Sequence, residues 1–188
     1  MIKIGITGSL ASGKTTASKI LSHRNGPLFS ADKVVKELYK NKHINELIRK
    51  KLRINKNDNV KKSVKKLILE DFRNIGKIEN IIHPLVRKRM KSFTSLHKNK
   101  KFLFYEIPLL IESKLMRFFD LIIFVKSKKK IRLKRFKSKK GDENLFNILN
   151  DKQMNDKKKL KFCDHVVVNE NNLNILKKRL SAIMRKYE

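Results

Sequence analysis

The stretch GSLASGKT, residues 8–15, decides the fold of this chain of 188 residues. It matches the pattern G-x-x-x-x-G-K-[ST] at Gly8, Gly13, Lys14 and Thr15. Glycines let the backbone point several N–H groups into one concavity, and a helix that begins after the loop adds its N-terminal dipole. Lys14 can reach the β- and γ-phosphates of ATP, and the Thr15 hydroxyl can bind Mg²⁺. The stretch therefore predicts a site for ATP with Mg²⁺, although a simple glycine turn would share the pattern.

The segments around this loop predict alternating strands and helices. Short apolar runs predict strands over 2–7, 28–30, 101–107, 121–125 and 166–168. Helical spacing covers 14–22, 33–97, 128–140, 143–156 and 173–187. We expect Pro84 to interrupt the longest of these stretches and Gly76 to divide it. Strands alternating with helices indicate an α/β fold of the P-loop NTPase type, with a parallel five-stranded sheet flanked by helices.

The length favours a single compact domain, residues 1–188. We expect its core to comprise residues 1–32, 101–127 and 157–188. The long helical stretch at 33–100 is the candidate for an inserted substrate-binding subdomain. Residues 128–156 are the candidate for a small lid.

Charge and composition limit the possible partners. Lys and Arg number 48 against 17 acidic residues, a net charge of +31. This balance is typical of proteins that bind nucleic acid or polyanionic substrates, but a general bias towards lysine would also produce it. Lysines occur in nearly every segment, aromatic residues make up 7% and tryptophan is absent, so we expect no specific nucleic-acid site.

The same composition bears on location and assembly. The single cysteine, Cys163, excludes an internal disulfide and fits a reducing compartment. No apolar run approaches the length of a membrane span, and the first residues lack the pattern of a signal peptide. We therefore expect a cytoplasmic protein that does not bind membranes, and we expect it to be a monomer.

Acidic residues follow two of the predicted strands. Asp32 comes just after the second strand, and the carboxyl ends of parallel strands line the crevice that holds the P-loop. It could act as a base towards a substrate hydroxyl or simply cap the next helix. Glu106, near the end of the third strand, could hold Mg²⁺ with Thr15 or be satisfied by local hydrogen bonds. Asp120 precedes the fourth strand at the other edge and is expected to be structural.

Six blocks of the sequence, in order, resemble the dephospho-CoA kinase family. Besides IGITGSLASGKTTASKIL, they are PLFSADKVVKEL (27–38), IIHPLVRKRM (81–90), YEIPLLIESKLMRFFDLIIFV (105–125), RLKRFKSKKGDENLFNILNDKQ (132–153) and CDHVVVNENN (163–172). The His-Pro-x-Val-Arg and Pro-Leu-Leu-x-Glu patterns are more specific than the P-loop. The resemblance implies transfer of the ATP γ-phosphate to the ribose 3′-hydroxyl of dephospho-CoA, the last step of coenzyme A synthesis.

The resemblance also implies roles for individual residues. Asp32, Lys14 and Arg135 would be catalytic. The ATP site would comprise Gly8, Ser9, Leu10, Ala11, Ser12, Gly13, Lys14, Thr15, Thr16 and Asn169. The acceptor dephospho-CoA would contact Asp32, His83, Arg87 and Leu109. Ser30 stands where the family has an acid, and Lys139 stands where it often has a second lid arginine.

Two other functions remain open at this point. One is a P-loop kinase for another small alcohol or nucleotide. The other is a basic P-loop protein that binds nucleic acid, which the net charge of +31 suggests.

Overall fold

A computed structural model describes residues 1–71 and 73–188 of the chain. These residues form two compact units. The first comprises residues 1–30 and 97–188, and the second comprises residues 31–96.

The first unit contains a five-stranded parallel sheet. Its strands are β1 (Ile2–Gly8), β2 (Leu28–Ser30), β3 (Phe102–Glu106), β4 (Leu121–Lys126) and β5 (His165–Val168), in the order β2-β3-β1-β4-β5. The apolar runs form strands because parallel strands covered on both faces need continuous hydrophobic sequence. β1 lies between β3 and β4, and its last five residues are buried. The predicted parallel five-stranded sheet is therefore confirmed.

The helices of both units complete the architecture. They are α1 (Lys14–Ser22), α2 (Ala31–Leu38), α3 (Lys42–Leu52), α4 (Val60–Glu70), α5 (Arg73–Leu96), α6 (Lys129–Lys137), α7 (Glu143–Asp151), α8 (Asp156–Leu160) and α9 (Leu173–Met184). Within the described residues, none of these helices is both long enough and apolar enough to cross a membrane.

The core of the first unit joins the sheet to α1 and α9. Ile4 and Ile6 of β1 are fully buried in a cluster with Ala17 of α1 and Leu180 of α9. Since β1 carries the P-loop at its end and α1 follows the loop, this cluster fixes both ends of the loop.

The second unit consists of α2 to α5 around a separate apolar cluster. Its buried members are Leu38, Ile44, Ile48, Leu52, Val60, Val64, Ile78 and Ile82. Asn41 and Asn59 cap α3 and α4, because their side chains accept a hydrogen bond from the N–H three residues later.

Two expectations about helix boundaries are wrong. α5 runs through Gly76 and Pro84 without a break. Pro84 removes one helical donor, but the helix is anchored on both sides of it, by buried Ile82 and by buried Met90. A side chain at Gly76 would meet no atom within 4 Å, so no steric contact requires a glycine or a helix break at this position.

The predicted helix over 143–156 is too long, because the helix that begins at Glu143 stops before the end of that range. α7 ends at Asp151. α8 begins separately at Asp156, where the side chain of Asn155 accepts a hydrogen bond of 2.8 Å from the Lys157 N–H. The cap starts a new helix, since asparagine favours the non-helical backbone of a capping position.

We predict that the α9 contact stabilises the first unit. Leu180 is fully buried and Leu173, at the start of the same helix, is 49% exposed. Leu180→Ala should lower the free energy of unfolding by about 2–5 kcal/mol, because it leaves a cavity in the core. Leu173→Ala should change it by less than about 1 kcal/mol. Urea denaturation of both variants checks this, and equal losses would contradict the assigned packing.

Candidate active site

The P-loop connects β1 to α1 and needs glycine at both ends. The backbone φ angles of Gly8 and Gly13 are 149° and 96°, in the left-handed region that disfavours side chains. A side chain at Gly8 would collide with the carbonyl oxygen of Val125 on β4. One at Gly13 would collide with the side-chain amide of Asn169. The two glycines of the motif are therefore required by close backbone approach.

Lys14 lies inside the loop. Its side chain is largely buried, and its ammonium donates hydrogen bonds of 3.0 and 2.9 Å to the carbonyl oxygens of Gly8 and Ser9. A phosphate oxygen is a stronger partner for an ammonium than a neutral carbonyl, because the hydrogen bond is then assisted by charge on both sides. The loop thus holds a cation in the concavity where the phosphates of a nucleotide would lie.

A group of oxygen atoms lies at the end of β3. Glu106 is 2% exposed, and its carboxylate accepts hydrogen bonds from the Thr15 hydroxyl at 2.5 Å and from the Ser30 hydroxyl at 3.1 Å. Mg²⁺ prefers such hard oxygen ligands and often needs only one or two of them from protein beside the substrate phosphates. Within residues 1–71 and 73–188, no group of three His, Cys, Asp or Glu side chains is placed to hold a metal ion by itself.

Two residues with predicted roles contact the backbone of the loop: Asn169, predicted to bind ATP, and Arg135, predicted to be catalytic. Asn169, just after β5, donates a hydrogen bond of 2.8 Å to the carbonyl oxygen of Ser12. Arg135 of α6 donates to the same oxygen at 3.2 Å and to the Ser127 hydroxyl at 3.4 Å. The structure therefore brings both side chains to the P-loop, by way of its backbone carbonyl.

Three further side chains contact the loop, and none of them was predicted to have a role there. Arg132 donates a hydrogen bond of 3.2 Å to the carbonyl oxygen of Leu10. Gln153 accepts one of 2.8 Å from the Leu10 N–H. Asp156 accepts one from the Ser9 hydroxyl. The sequence carries little signal for these contacts. Gln153 is marked only as the last residue of one of the family-like blocks, and Arg132 is one of many cations on its helix.

Arg132 is the most enclosed of these groups. Its residue is 6% exposed, and it also donates to the Ser127 carbonyl at 3.1 Å and to the Asn150 side chain at 2.8 Å. The guanidinium lies 5.7 Å from the centre of the Phe146 ring. Burial lowers its pKa, and the nearby carboxylate of Asp156 opposes that shift. Arginine keeps its charge under such conditions, so a permanent cation lies behind the loop.

The residues predicted to act on the acceptor lie partly in the second unit. Asp32 is exposed in the first turn of α2. His83 and Arg87 lie four residues apart on α5, which places them on one face of that helix. The His83 imidazole is 4.0 Å from the carboxylate of Glu79, one turn earlier.

The other two predicted site residues belong to the first unit. Leu109 is half-buried in the turn after β3, where its carbonyl accepts a hydrogen bond of 2.8 Å from the Ser113 N–H. Thr16 is exposed in the first turn of α1, and its N–H donates to the carbonyl of Gly13 at 3.1 Å.

Comparison with known proteins supplies the wider context for this site. The sequence model described as dephospho-CoA kinase matches residues 2–174. The chain is 33% identical over 189 aligned positions to the dephospho-CoA kinase of Rickettsia typhi, covering 100% of this chain and 98% of that relative. It is 36% identical over 169 positions to that of Bartonella quintana, covering 87% of each chain.

A solved structure agrees with the fold. Dephospho-CoA kinase from Campylobacter jejuni superposes with a TM-score of 0.68 at 24% identity, covering 98% of this chain and 96% of that one. Because the family model spans almost the whole chain and the aligned relatives are matched along most of their length, the chain belongs to the dephospho-CoA kinase family.

Proposed function

We propose that this chain transfers the γ-phosphate of ATP to the ribose 3′-hydroxyl of dephospho-CoA, which yields coenzyme A in the last step of its synthesis. One observation carries the proposal. A P-loop with a buried lysine in its concavity lies beside a carboxylate and two hydroxyls, in a chain that the family model matches over residues 2–174.

The ATP half of the reaction depends on the P-loop. When the phosphates enter, the Lys14 ammonium exchanges its two carbonyl partners for phosphate oxygens. The α1 N-terminus directs its dipole at the same place. Phosphoryl transfer needs positioning and charge neutralisation more than covalent participation by the protein, and the loop supplies both. Arg135 adds positive charge from the lid side.

The metal half depends on Thr15 and Glu106. Mg²⁺, when bound with ATP, would neutralise charge on the β- and γ-phosphates. We assign its protein contacts to the Thr15 hydroxyl and, directly or through water, to the Glu106 carboxylate. Ser30, which stands where the family has the first acid of its Asp-Ala-Asp segment, donates to the other oxygen of that carboxylate and so helps to orient Glu106.

The acceptor half depends on a base and on groups that bind the substrate. We assign Asp32 as the base that takes the proton of the attacking 3′-hydroxyl. The hydroxyl oxygen forms a bond to the γ-phosphorus, and the bond from that phosphorus to the bridging oxygen breaks, which releases ADP. Arg87 can hold a substrate phosphate through two parallel hydrogen bonds, and His83 and Leu109 complete the acceptor contacts.

The remaining proposals concern larger segments and the setting. We assign residues 33–100 to acceptor binding and residues 128–156 to a lid over ATP. We place the enzyme in the cytoplasm, because its one cysteine, Cys163, suits a reducing compartment. The monomeric state stays a prediction.

The acceptor identity can be tested with a panel. Purified enzyme with MgATP should phosphorylate dephospho-CoA with a kcat/KM at least about 100-fold above that for adenylate, gluconate or shikimate. A wrong substrate would leave polar groups of the binding site without hydrogen-bond partners, which costs free energy. Coupled detection of ADP measures all four rates. A faster rate with any of the other three acceptors would overturn the proposed substrate.

The assignment of Asp32 as base can be tested by Asp32→Asn. This change keeps the shape of the side chain and removes its ability to accept a proton, so kcat should fall about 100- to 10,000-fold. The affinity for ATP should stay within about threefold of wild type. Glu37→Gln is the matched control, because Glu37 is another exposed acid on α2 and should leave kcat unchanged. Normal turnover of Asp32→Asn would exclude Asp32 as the base.

A further inference from the structure

The peptide planes of the P-loop alternate in direction. In a trans peptide the carbonyl and the N–H point opposite ways. The Ser9 carbonyl points inward, to the Lys14 ammonium at 2.9 Å, so the Leu10 N–H of the same peptide points outward. There it donates to the Gln153 side chain at 2.8 Å.

The next peptide is reversed. The Leu10 carbonyl points outward and accepts a hydrogen bond of 3.2 Å from Arg132. The Ala11 N–H therefore points inward, to the side of the loop that holds the Lys14 ammonium. Ala11 itself has a φ of 57°, in the left-handed region that a residue with a side chain rarely adopts. Gln153 and Arg132 hold the two successive peptides from outside.

The segment that carries Gln153 is itself anchored. The Glu112 carboxylate accepts a hydrogen bond of 3.2 Å from the Met154 N–H and pairs with the ammonium of Lys159 at 2.7 Å. Lys159 is fully buried, and breaking such a pair leaves a buried charge without compensation. Asp156 is bonded to the Ser9 hydroxyl between these two points. The segment thus holds a fixed position relative to the loop.

The surroundings of Gln153 leave room for an altered side chain. Gln153 is half-buried and lines a cavity of about 510 Å³, together with Ser9, Arg132, Asn150 and Asp156. The Gln153 side chain therefore accepts the hydrogen bond from the Leu10 N–H at the edge of this cavity. A methionine of similar length can occupy that space without overpacking.

We propose that Gln153 and Arg132 form an outer clamp on the P-loop, which orients the peptides at Leu10 so that the Ala11 N–H faces the ATP phosphates. Both are positioning residues, because they act through the Leu10 backbone and touch no reacting atom. The proposal rests on the proposed function only in that the loop binds ATP, and it makes no use of the acceptor.

The test is to replace Gln153 with methionine and measure ligand binding by calorimetry. Gln153→Met removes the acceptor for the Leu10 N–H and should weaken MgATP binding about fivefold to tenfold, the loss expected for one hydrogen bond. Dephospho-CoA binding to the same variant should stay within about twofold of wild type. Lys158→Met is the control, since Lys158 is exposed on the neighbouring helix α8, and it should leave MgATP binding unchanged.

Two outcomes would overturn the clamp. MgATP affinity of Gln153→Met within twofold of wild type would show that the contact does not set the loop. An equal loss of MgATP and dephospho-CoA binding would assign Gln153 to general stability. A wild-type chain that binds MgATP but not dephospho-CoA would defeat the proposed acceptor, and the MgATP titrations would still decide the clamp.

Discussion

The direction of the backbone carbonyls in the P-loop is the constraint on which the site depends. The carbonyl of Ser9 points inward to Lys14, whereas that of Leu10 points outward to Arg132. Because each trans peptide couples its carbonyl to an opposed N–H, these cations also decide which N–H groups face the phosphates. The sheet contributes by exclusion, since the carbonyl of Val125 leaves no space for a side chain at the first glycine. The loop, the sheet and the side chains of Arg132 and Gln153 thus determine one backbone conformation together.

Buried cations and surface charge have different consequences in this chain. The buried cations are paired locally: Lys14 with carbonyl oxygens, Arg132 with three acceptors beside an aromatic ring, and Lys159 with Glu112. The net charge of +31 arises mainly from exposed lysines, which contribute little each to stability. Its physical effect is a field that attracts polyphosphates and speeds their encounter with the protein at low salt. The charge therefore bears on association with ATP more than on the fold.

The sequence predicted the sheet and the loop because both follow from local pattern. Apolar runs of strand length and a four-position motif need no knowledge of distant contacts. The predicted helix break at Pro84 is wrong because a proline lowers helix propensity only locally. The packing of Ile82 and Met90 on either side of it keeps the helix continuous. The contacts of Arg132 and Gln153 with the loop could not be predicted, because their partner Leu10 is 122 and 143 residues away in sequence. A single arginine in a basic helix carries no local mark of such a contact.

The most direct test of the account is the affinity of the loop for ATP with and without its lysine. The measurement is calorimetric titration of MgATP into wild type, Lys14→Met and Lys19→Met, where Lys19 is an exposed lysine on α1. The account predicts that Lys14→Met binds about 10- to 100-fold more weakly, as expected for loss of a charged hydrogen-bond donor, and that Lys19→Met binds like wild type. Equal affinity of Lys14→Met and wild type would contradict the assignment of residues 8–15 as the phosphate site.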